Sequence, residues 1–249
     1  MPTGLGDEEL WLSPTVANNV NPFDDQSGNG NNGTAQGGMG TVADTSNGGS
    51  FAYEFDGVDD WIECSGPTGN SGSFSLSMWV NRSASISTAT TVAAQYDTSA
   101  SDRYWFVQQK SFSTGNTFVT YPVASTSSGR VDSETTSAPS TGTWYQLTAL
   151  YDSAAGEQRL YIDGVLVDTD TSTGFQATTI GLSLGSLDGT QNWAGKLDDV
   201  RLYDRALTQA EITHLASSRG VQGGPGGENY SPFRNAKYIN KTYQIPRFG

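Results

Sequence analysis

Short runs in which hydrophobic and polar residues alternate dominate the chain. The clearest run is 74–80 (FSLSMWV), in which every second residue from Phe74 to Val80 is apolar. A period of two residues is typical of a strand that buries one face. The pattern predicts a half-buried strand here and further strands at Leu10–Leu12, Phe51–Phe55, Trp61–Cys64, Tyr104–Gln108, Thr117–Tyr121, Trp144–Tyr151, Arg159–Ile162, Val165–Thr169, Ile180–Leu184 and Leu197–Tyr203.

The strongest turn signal is the dipeptide Asp163-Gly164, which separates the apolar runs 160–162 and 165–167. Asp and Gly accept the positive φ angles of a type I′ turn, which joins the strands of a tight hairpin. The sequence therefore predicts that these two runs pair as a β-hairpin.

One helix is predicted near the end of the strand-rich region. Thr208 and Glu211 have the spacing of a capping box, in which the hydroxyl accepts a backbone N–H and the carboxylate reaches back. Gly220 is suited to end this helix. Many strands with one late helix indicate an all-β fold, a β-sandwich.

Composition and charge narrow the classes of partner. The 249 residues include 13 Lys and Arg and 26 Asp and Glu, for a net charge of −13, and 35% are hydrophobic. No apolar run approaches the roughly 18 residues that a membrane-spanning helix needs. Binding to duplex nucleic acid requires clustered basic side chains, so the acidic balance argues against that partner.

Two residue types that occur once exclude several kinds of site. Cys64 is the only cysteine, so an intrachain disulfide is excluded. His214 is the only histidine, which excludes zinc sites built from several His or Cys ligands. The acidic N-terminal sequence lacks the apolar region of a secretion signal. We therefore expect either function without Sec export or a leader that has been removed.

The composition changes near residue 220. Residues 220–227 are rich in Gly and Pro and are predicted to form a hinge after a folded domain at 1–219. Residues 228–249, the C-terminal arm, carry a net charge of about +3 and leave about −16 on the remainder. The arm interleaves aromatic and basic residues, which favours docking onto an acidic protein surface or single-stranded nucleic acid. The predicted docking residues are Tyr230, Phe233, Arg234, Lys237, Tyr238, Lys241, Tyr243, Arg247 and Phe248.

Four sequence blocks occur in an order that is typical of one family. They are Leu10–Leu12 with Asp25–Thr34; Phe55–Ile62; Phe74–Val80 with Trp144-Tyr145 and Leu160–Gly164; and Trp193–Leu207. Together they resemble laminin-G-like domains of the concanavalin A-like lectin/glucanase superfamily, over about residues 9–218. The resemblance implies a jelly-roll β-sandwich of two antiparallel sheets. In this sequence the predicted short helix and an extended C-terminal tail, which lies outside the resemblance, follow the sandwich. The resemblance also implies partners bound at loops or on the concave face, and a structural calcium ion near the loop edge.

The Asp25–Gly33 loop is the best candidate for that calcium. Calcium takes six to eight oxygen ligands, and a loop rich in Gly and Asn exposes backbone carbonyls. Asp25, Asn29 and Asn31 supply side-chain oxygens, and we expect Asp198 or Asp199 to add a carboxylate. The alternative is a tight turn held by hydrogen bonds from its own side chains.

The acidic segment 54–60 is a candidate for a catalytic site. Glu54, Asp56 and Asp59 approach the glucanase signature Glu-x-Asp-x-x-Glu, in which two Glu residues act as nucleophile and acid/base. The third position holds Asp, and the segment 56–60 (DGVDD) breaks the alternation of a strand. We therefore favour a turn whose carboxylates cap backbone N–H groups or join the metal site, and we expect no catalytic residue.

Two tryptophans are candidates for stacking on a sugar. Trp105 and Trp193 lie near Gly- and Ser-rich segments, so we expect both to be exposed and to bind a glycan. The alternative is that they belong to the core, where aromatic residues of strands are commonly found.

These features favour a non-enzymatic binding and assembly protein. A single lectin-like sandwich with a docking arm fits a virion-surface subunit, such as a bacteriophage decoration or tail-associated protein, tethered by its arm to a capsid, a tail or a symmetry mate. A secreted or cell-surface carbohydrate-binding module is the alternative, and a glycoside hydrolase is a third interpretation. A surface glycan is the candidate ligand in both of the first two.

Overall fold

The computed structural model describes residues 5–14, 21–44, 50–64, 66, 72–83, 88–96, 103–112, 115–122, 131–132, 139–171 and 181–217. The strands within these ranges are β1 (Leu10–Leu12), β2 (Gly33–Gln36), β3 (Gly40–Asp44), β4 (Ser50–Asp56), β5 (Trp61–Cys64), β6 (Phe74–Arg82), β7 (Thr90–Tyr96), β8 (Arg103–Phe112), β9 (Gly115–Pro122), β10 (Val131–Asp132), β11 (Trp144–Asp152), β12 (Glu157–Ile162), β13 (Val165–Thr171), β14 (Leu182–Leu184) and β15 (Ala194–Tyr203). They are followed by one helix, α1 (Gln209–Ser217).

The strands form two antiparallel sheets. The first has the order β13-β12-β11-β6-β15-β4-β3, with β1 pairing beside β4 on β15, and the second has the order β10-β9-β8-β7-β14-β5-β2. Consecutive strands pair in part of each sheet, while other neighbours are distant in sequence, as in the pairing of β15 with β6. The predicted all-β jelly-roll sandwich with one short helix is therefore confirmed.

The core lies between the two sheets. Large apolar side chains from both inner faces are fully buried there, including Leu76 and Leu197 of the first sheet and Val107 and Leu184 of the second. Alternation along each strand supplies this face, because successive side chains of a strand point to opposite sides.

The outer face of the first sheet is also covered. Ile212 and Leu215 of α1 pack against Leu150, Tyr161 and Tyr203 in a second apolar cluster. β6 is also buried on both faces, whereas its alternation predicted one solvent-exposed face.

The hairpin predicted around Asp163-Gly164 is confirmed. β12 and β13 pair with Ile162 opposite Val165, and the two turn residues have φ angles of 51° and 77°. The Asp163 side chain accepts a hydrogen bond from the Gln146 backbone N–H at 2.8 Å, which ties the turn to β11.

The predicted capping box of α1 is present. The Glu211 carboxylate accepts the Thr208 backbone N–H at 2.8 Å, and the Thr208 hydroxyl accepts the Glu211 N–H at 3.4 Å. Arg205 donates to the same carboxylate. Its hydrogen bonds, together with those of Thr208 and against the effect of burial, lower the pKa of Glu211 to about 2.

The cap is expected to make stability depend on pH. Since the pKa of Glu211 is lower in the folded chain, the stabilisation is complete above the ordinary value of 4.5 and is lost as the pH falls toward 2. Glu211→Gln should cost about 1 kcal/mol of unfolding free energy at pH 7, a figure that allows for solvent screening. Urea unfolding at pH 7 and pH 2.5 measures this, and a difference between wild type and variant that is equal at both pH values would contradict it.

Several strands were not apparent from the sequence. β2, β3, β7 and β10 contain mainly small or polar residues, or are too short to show alternation. Gly220, the hinge at 220–227 and the C-terminal arm lie outside the described residues, so the domain boundaries stay predictions. Among the described residues, no helix has both the length and the apolar character needed to cross a bilayer.

Candidate functional site

A cavity of about 480 Å³ opens at the β3–β4 edge of the first sheet. Its walls come from the loop and strand before β4, from the end of β4, and from the ends of β6 and β15. The lining residues are Gly38, Met39, Gly40, Thr41, Val42, Glu54, Phe55, Asp56, Asp60, Ser83 and Ala194. The cavity therefore combines carboxylates and backbone groups with a few apolar surfaces.

The turn between β4 and β5 supplies the carboxylates at one end of this cavity. Oxygen atoms of Asp56, Asp59 and Asp60 lie within 4.8 Å of one another. Asp56 accepts the Val58 N–H at 2.7 Å, and Asp60 accepts the Asp56 N–H at 3.0 Å, so the predicted capping of backbone groups is present. Burial and the neighbouring carboxylates raise the pKa of Asp60, although its backbone hydrogen bond opposes this.

A close backbone contact holds the glycine-rich wall against this turn. Gly37 has a φ of +71°, and a Cβ atom placed on it would lie 1.9 Å from the Asp59 carbonyl oxygen. Only glycine permits this approach, because any side chain would overlap the backbone of the turn. The loop before β3 and the acidic turn are thus fixed to each other.

The glucanase arrangement is not formed. β4 ends at Asp56, and Asp59 lies in the turn that follows, where its N–H binds the Asp56 carboxylate. The third carboxylate therefore does not project from the strand that carries Glu54 and Asp56, as the two-carboxylate mechanism requires.

The expectation that Trp105 and Trp193 are exposed is wrong. They are 1% and 0% exposed, respectively. Trp105 stacks on Phe74 with ring centroids 5.0 Å apart and donates its indole N–H to Gln95, while Trp193 packs against Phe118. Nearby Gly and Ser residues indicated loops, but both rings point from those positions into the core, where they cannot stack on a sugar.

The Asp25–Gly33 loop has the hydrogen bonding of a tight turn. The Asp25 carboxylate accepts four donors, namely the backbone N–H groups of Trp11, Ser27 and Asn31 and the Ser27 hydroxyl. Four donors use the lone pairs that a carboxylate offers. Asn29 and Asn31 donate their amide groups to the carbonyls of Glu8 and Glu9. The side chains thus already serve the turn that was the alternative to calcium.

Asp198 and Asp199 bind different neighbours at a bulge of β15. Asp198 accepts the Ser13 hydroxyl at 3.1 Å. Asp199, with a φ of 49°, accepts the Trp11 indole N–H at 2.7 Å and Arg201 at 2.8 Å. Both carboxylates therefore accept hydrogen bonds from protein groups. Calcium at these positions stays a prediction.

Arg201, on β15 of the first sheet, is the centre of a buried charged cluster. It is 1% exposed, lies 4.2 Å above the Trp11 ring and donates to Glu8 at 3.3 Å as well as to Asp199. Burial opposes its charge, but Asp199, Tyr203 and Glu8 outweigh burial and raise the pKa of Arg201. The cluster fastens the N-terminal segment to β15.

The sequence and the fold both match known proteins. The laminin G family model of the concanavalin A-like lectin/glucanases superfamily matches residues 56–213. The chain belongs to this superfamily. The comparison with curated proteins gave no match. The match includes the acidic turn of the cavity and ends within α1.

Solved structures with the lectin-like sandwich include both enzyme-associated and toxin domains. Domain 4 of AbnA, a GH43 extracellular arabinanase from Geobacillus stearothermophilus in complex with arabinotriose, has a TM-score of 0.61 and 22% identity, with 84% of this chain and 100% of that chain covered. The binding domain of Paraclostridial Mosquitocidal Protein 1 has a TM-score of 0.66 and 15% identity, and the match covers 85% of this chain and 52% of that chain. A third match is botulinum neurotoxin type C, whose cell entry depends on interaction with two ganglioside molecules. It has a TM-score of 0.62 and 17% identity, and the match covers 84% of this chain and 50% of that chain. The chain thus spans about half the length of the toxin domains.

Sequence reasoning missed most of the cavity. Gly38–Val42, Ser83 and Ala194 carry no chemical signature of their own, and they meet only because β4 and β6 both pair with β15. Only Glu54 and the acidic turn were singled out from the sequence, and the turn lies at the edge of the cavity.

Proposed function

We propose that this lectin-like chain is a non-enzymatic binding and assembly subunit whose ligand is a surface glycan. The observation that carries the proposal is the cavity beside β3 and β4, whose volume of about 480 Å³ suits one or two sugar rings. Two proteins with this fold support this class of ligand: the AbnA domain in complex with arabinotriose, and botulinum neurotoxin type C, whose cell entry depends on gangliosides.

The chemistry of the cavity suits sugar hydroxyls. Glu54, Asp56 and Asp60 are acceptors for hydroxyl donors, and hydrogen bonds to charged groups contribute about 1.5–3 kcal/mol each. The backbone of the glycine-rich wall adds N–H and carbonyl groups that a ligand can approach closely. Val42 and Ala194, which line the cavity and are partly exposed, supply small apolar surfaces for the C–H faces of a sugar ring.

A binding role without catalysis agrees with the carboxylate geometry. Asp59 lies in the turn rather than on the face of β4, so the third carboxylate of the glucanase signature does not join Glu54 and Asp56 on that strand. Measured hydrolysis of β-glucans by the wild-type chain would contradict this part of the proposal.

The assembly role rests on the C-terminal arm. Its charge of about +3 opposes the acidic sandwich, and its aromatic residues suit a contact with a protein surface. We place the subunit on the surface of a virion, with the arm bound to a capsid or tail protein. The alternative is a secreted or cell-surface carbohydrate-binding module, and detection on purified particles rather than in the culture medium separates the two.

Glu54→Gln is expected to weaken glycan binding by about tenfold or more, because it removes one charged acceptor from the cavity. The ligand is first identified on a glycan array that includes arabinotriose and ganglioside oligosaccharides. The dissociation constant is then measured by calorimetry for wild type and variant.

Glu63→Gln is the matched control, since Glu63 is also an exposed strand glutamate but lies on β5 of the other sheet. We expect it to bind like the wild type. Equal weakening in the two variants would place the ligand elsewhere, and a wild-type chain that binds no glycan would overturn the proposal.

A further inference from the structure

β13 presents an open edge. It is the last strand of the first sheet, and among the described residues no strand pairs with its other side. Such an edge carries a row of backbone N–H and C=O groups that can pair with an added strand. Val165 and Leu166, at its start, are 64% and 46% exposed, so apolar side chains accompany these polar groups.

The edge is also acidic. Asp168 and Asp170 follow Val165 and Leu166 in the same strand, which contains no basic residue. A complementary segment would therefore combine basic residues with apolar ones, because like charges on adjacent strands are destabilising.

The described part of the chain ends beside this strand. The Gln209 side chain of α1 donates to the Gly164 carbonyl at 2.8 Å, and a Cβ atom on Gly164 would lie 3.2 Å from that of Ala216. α1 ends at Ser217, so the last described residues of the chain lie near the start of β13.

The arm contains a segment with the complementary chemistry. Residues 237–245 (KYINKTYQI) lie between two prolines and are rich in Tyr, Ile and Thr, which favour strands. Lys237 and Lys241 supply positive charge within this segment, and its only other charged neighbours are also basic.

The arm is long enough to reach the edge. Residues 218–236 span at most about 63–68 Å when extended, at 3.3–3.6 Å per residue. The seven residues of β13 span about 23 Å. Attachment to the same chain also gives the arm a high effective concentration at this edge.

We propose that residues 237–245 add as a strand to the open edge of β13 in the same chain. The backbone groups of β13 gain partners, Lys237 and Lys241 face Asp168 and Asp170, and the tyrosines and isoleucines cover Val165 and Leu166. In the free subunit this contact shields an edge that would otherwise pair with other copies, and an assembly partner competes for the arm. The inference concerns the free subunit and does not depend on the glycan.

Hydrogen exchange of the full-length chain tests this contact. In the wild type, the amides of β13 should exchange as slowly as those of β12. In the Lys237→Glu/Lys241→Glu variant they should exchange about tenfold faster or more, because the opening of an edge contact exposes its amides. The amides of β6 and β11 serve as an internal reference, and we expect them to be unchanged.

A charge swap provides the matched control. Adding Asp168→Lys/Asp170→Lys to the arm variant should restore protection of β13, whereas adding Glu63→Lys on the other sheet should not. Equal exchange in wild type and arm variant would overturn the proposal. Protection that increases with protein concentration, together with dimers in sedimentation, would also overturn it by assigning the edge to a second copy.

Discussion

Replacing Arg201 with methionine is expected to lower the free energy of unfolding by about 3–5 kcal/mol, among the largest effects of any single substitution in this chain. Arg201 is 1% exposed and donates to Asp199 at 2.8 Å and to Glu8 at 3.3 Å. Methionine keeps much of the apolar length of the side chain but leaves both carboxylates buried without their cation. The cost of two uncompensated buried charges exceeds that of the lost contacts.

The effect should also reach the N-terminal segment. Glu8 binds the Leu5 and Gly6 N–H groups and the Tyr203 hydroxyl as well as Arg201. Without the guanidinium we expect the amides of residues 5–12 to exchange faster than those of β6. Local loosening of this kind distinguishes a broken cluster from a uniform loss of stability.

Arg159→Met is the matched control, because Arg159 also contacts two carboxylates, Asp152 and Glu157, but is partly exposed. Water screens that group, so its loss should cost about 1 kcal/mol or less. Urea unfolding followed by tryptophan fluorescence measures both variants. A loss for Arg201→Met no greater than that for Arg159→Met would show that the buried cluster does not stabilise the fold.

Local features of the fold were predictable from the sequence, whereas features that depend on residues far apart in the chain were not. The Asp163-Gly164 hairpin and the Thr208–Glu211 cap were predictable because each depends on residues within a few positions of one another. The burial of Trp105 and Trp193 was not, because it depends on which sheet face each position occupies. That choice is fixed by strands that are distant in sequence and pair in the sheet, such as β7 with β14.

The candidate site shows the same division. The segment 56–60 was recognisable as an acidic turn, since Asp-Gly and repeated Asp residues favour turns with side-chain caps. Its role as one wall of a cavity required Gly38–Val42 and Ala194, which are brought to it by the pairing of β3 with β4 and of β4 with β15. Sequence patterns give the chemistry of one wall, while long-range pairing determines what faces it.

Gly37→Ala is expected to destabilise the chain by about 2–5 kcal/mol, from backbone strain of roughly 1–2 kcal/mol and overpacking of roughly 1–3 kcal/mol. Gly37 has a φ of +71°, and its Cβ would lie 1.9 Å from the Asp59 carbonyl oxygen. The position of the Cβ atom is fixed by the backbone of residue 37, and the oxygen belongs to the backbone of Asp59. Rotation of a side chain therefore cannot relieve the overlap. The loop before β3 must then move away from the acidic turn, which changes the shape of the cavity, and glycan affinity should fall with stability.

Gly142→Ala separates strain from overlap. Gly142 has a φ of +75°, a Cβ atom there meets no atom within 4 Å, and the residue does not line the cavity. We expect this variant to lose only about 1–2 kcal/mol, the cost of the left-handed backbone alone, and to keep its glycan affinity. Thermal unfolding and calorimetric binding of both variants decide the question. If the two lose stability equally, the contact between residue 37 and the turn does not hold the cavity together.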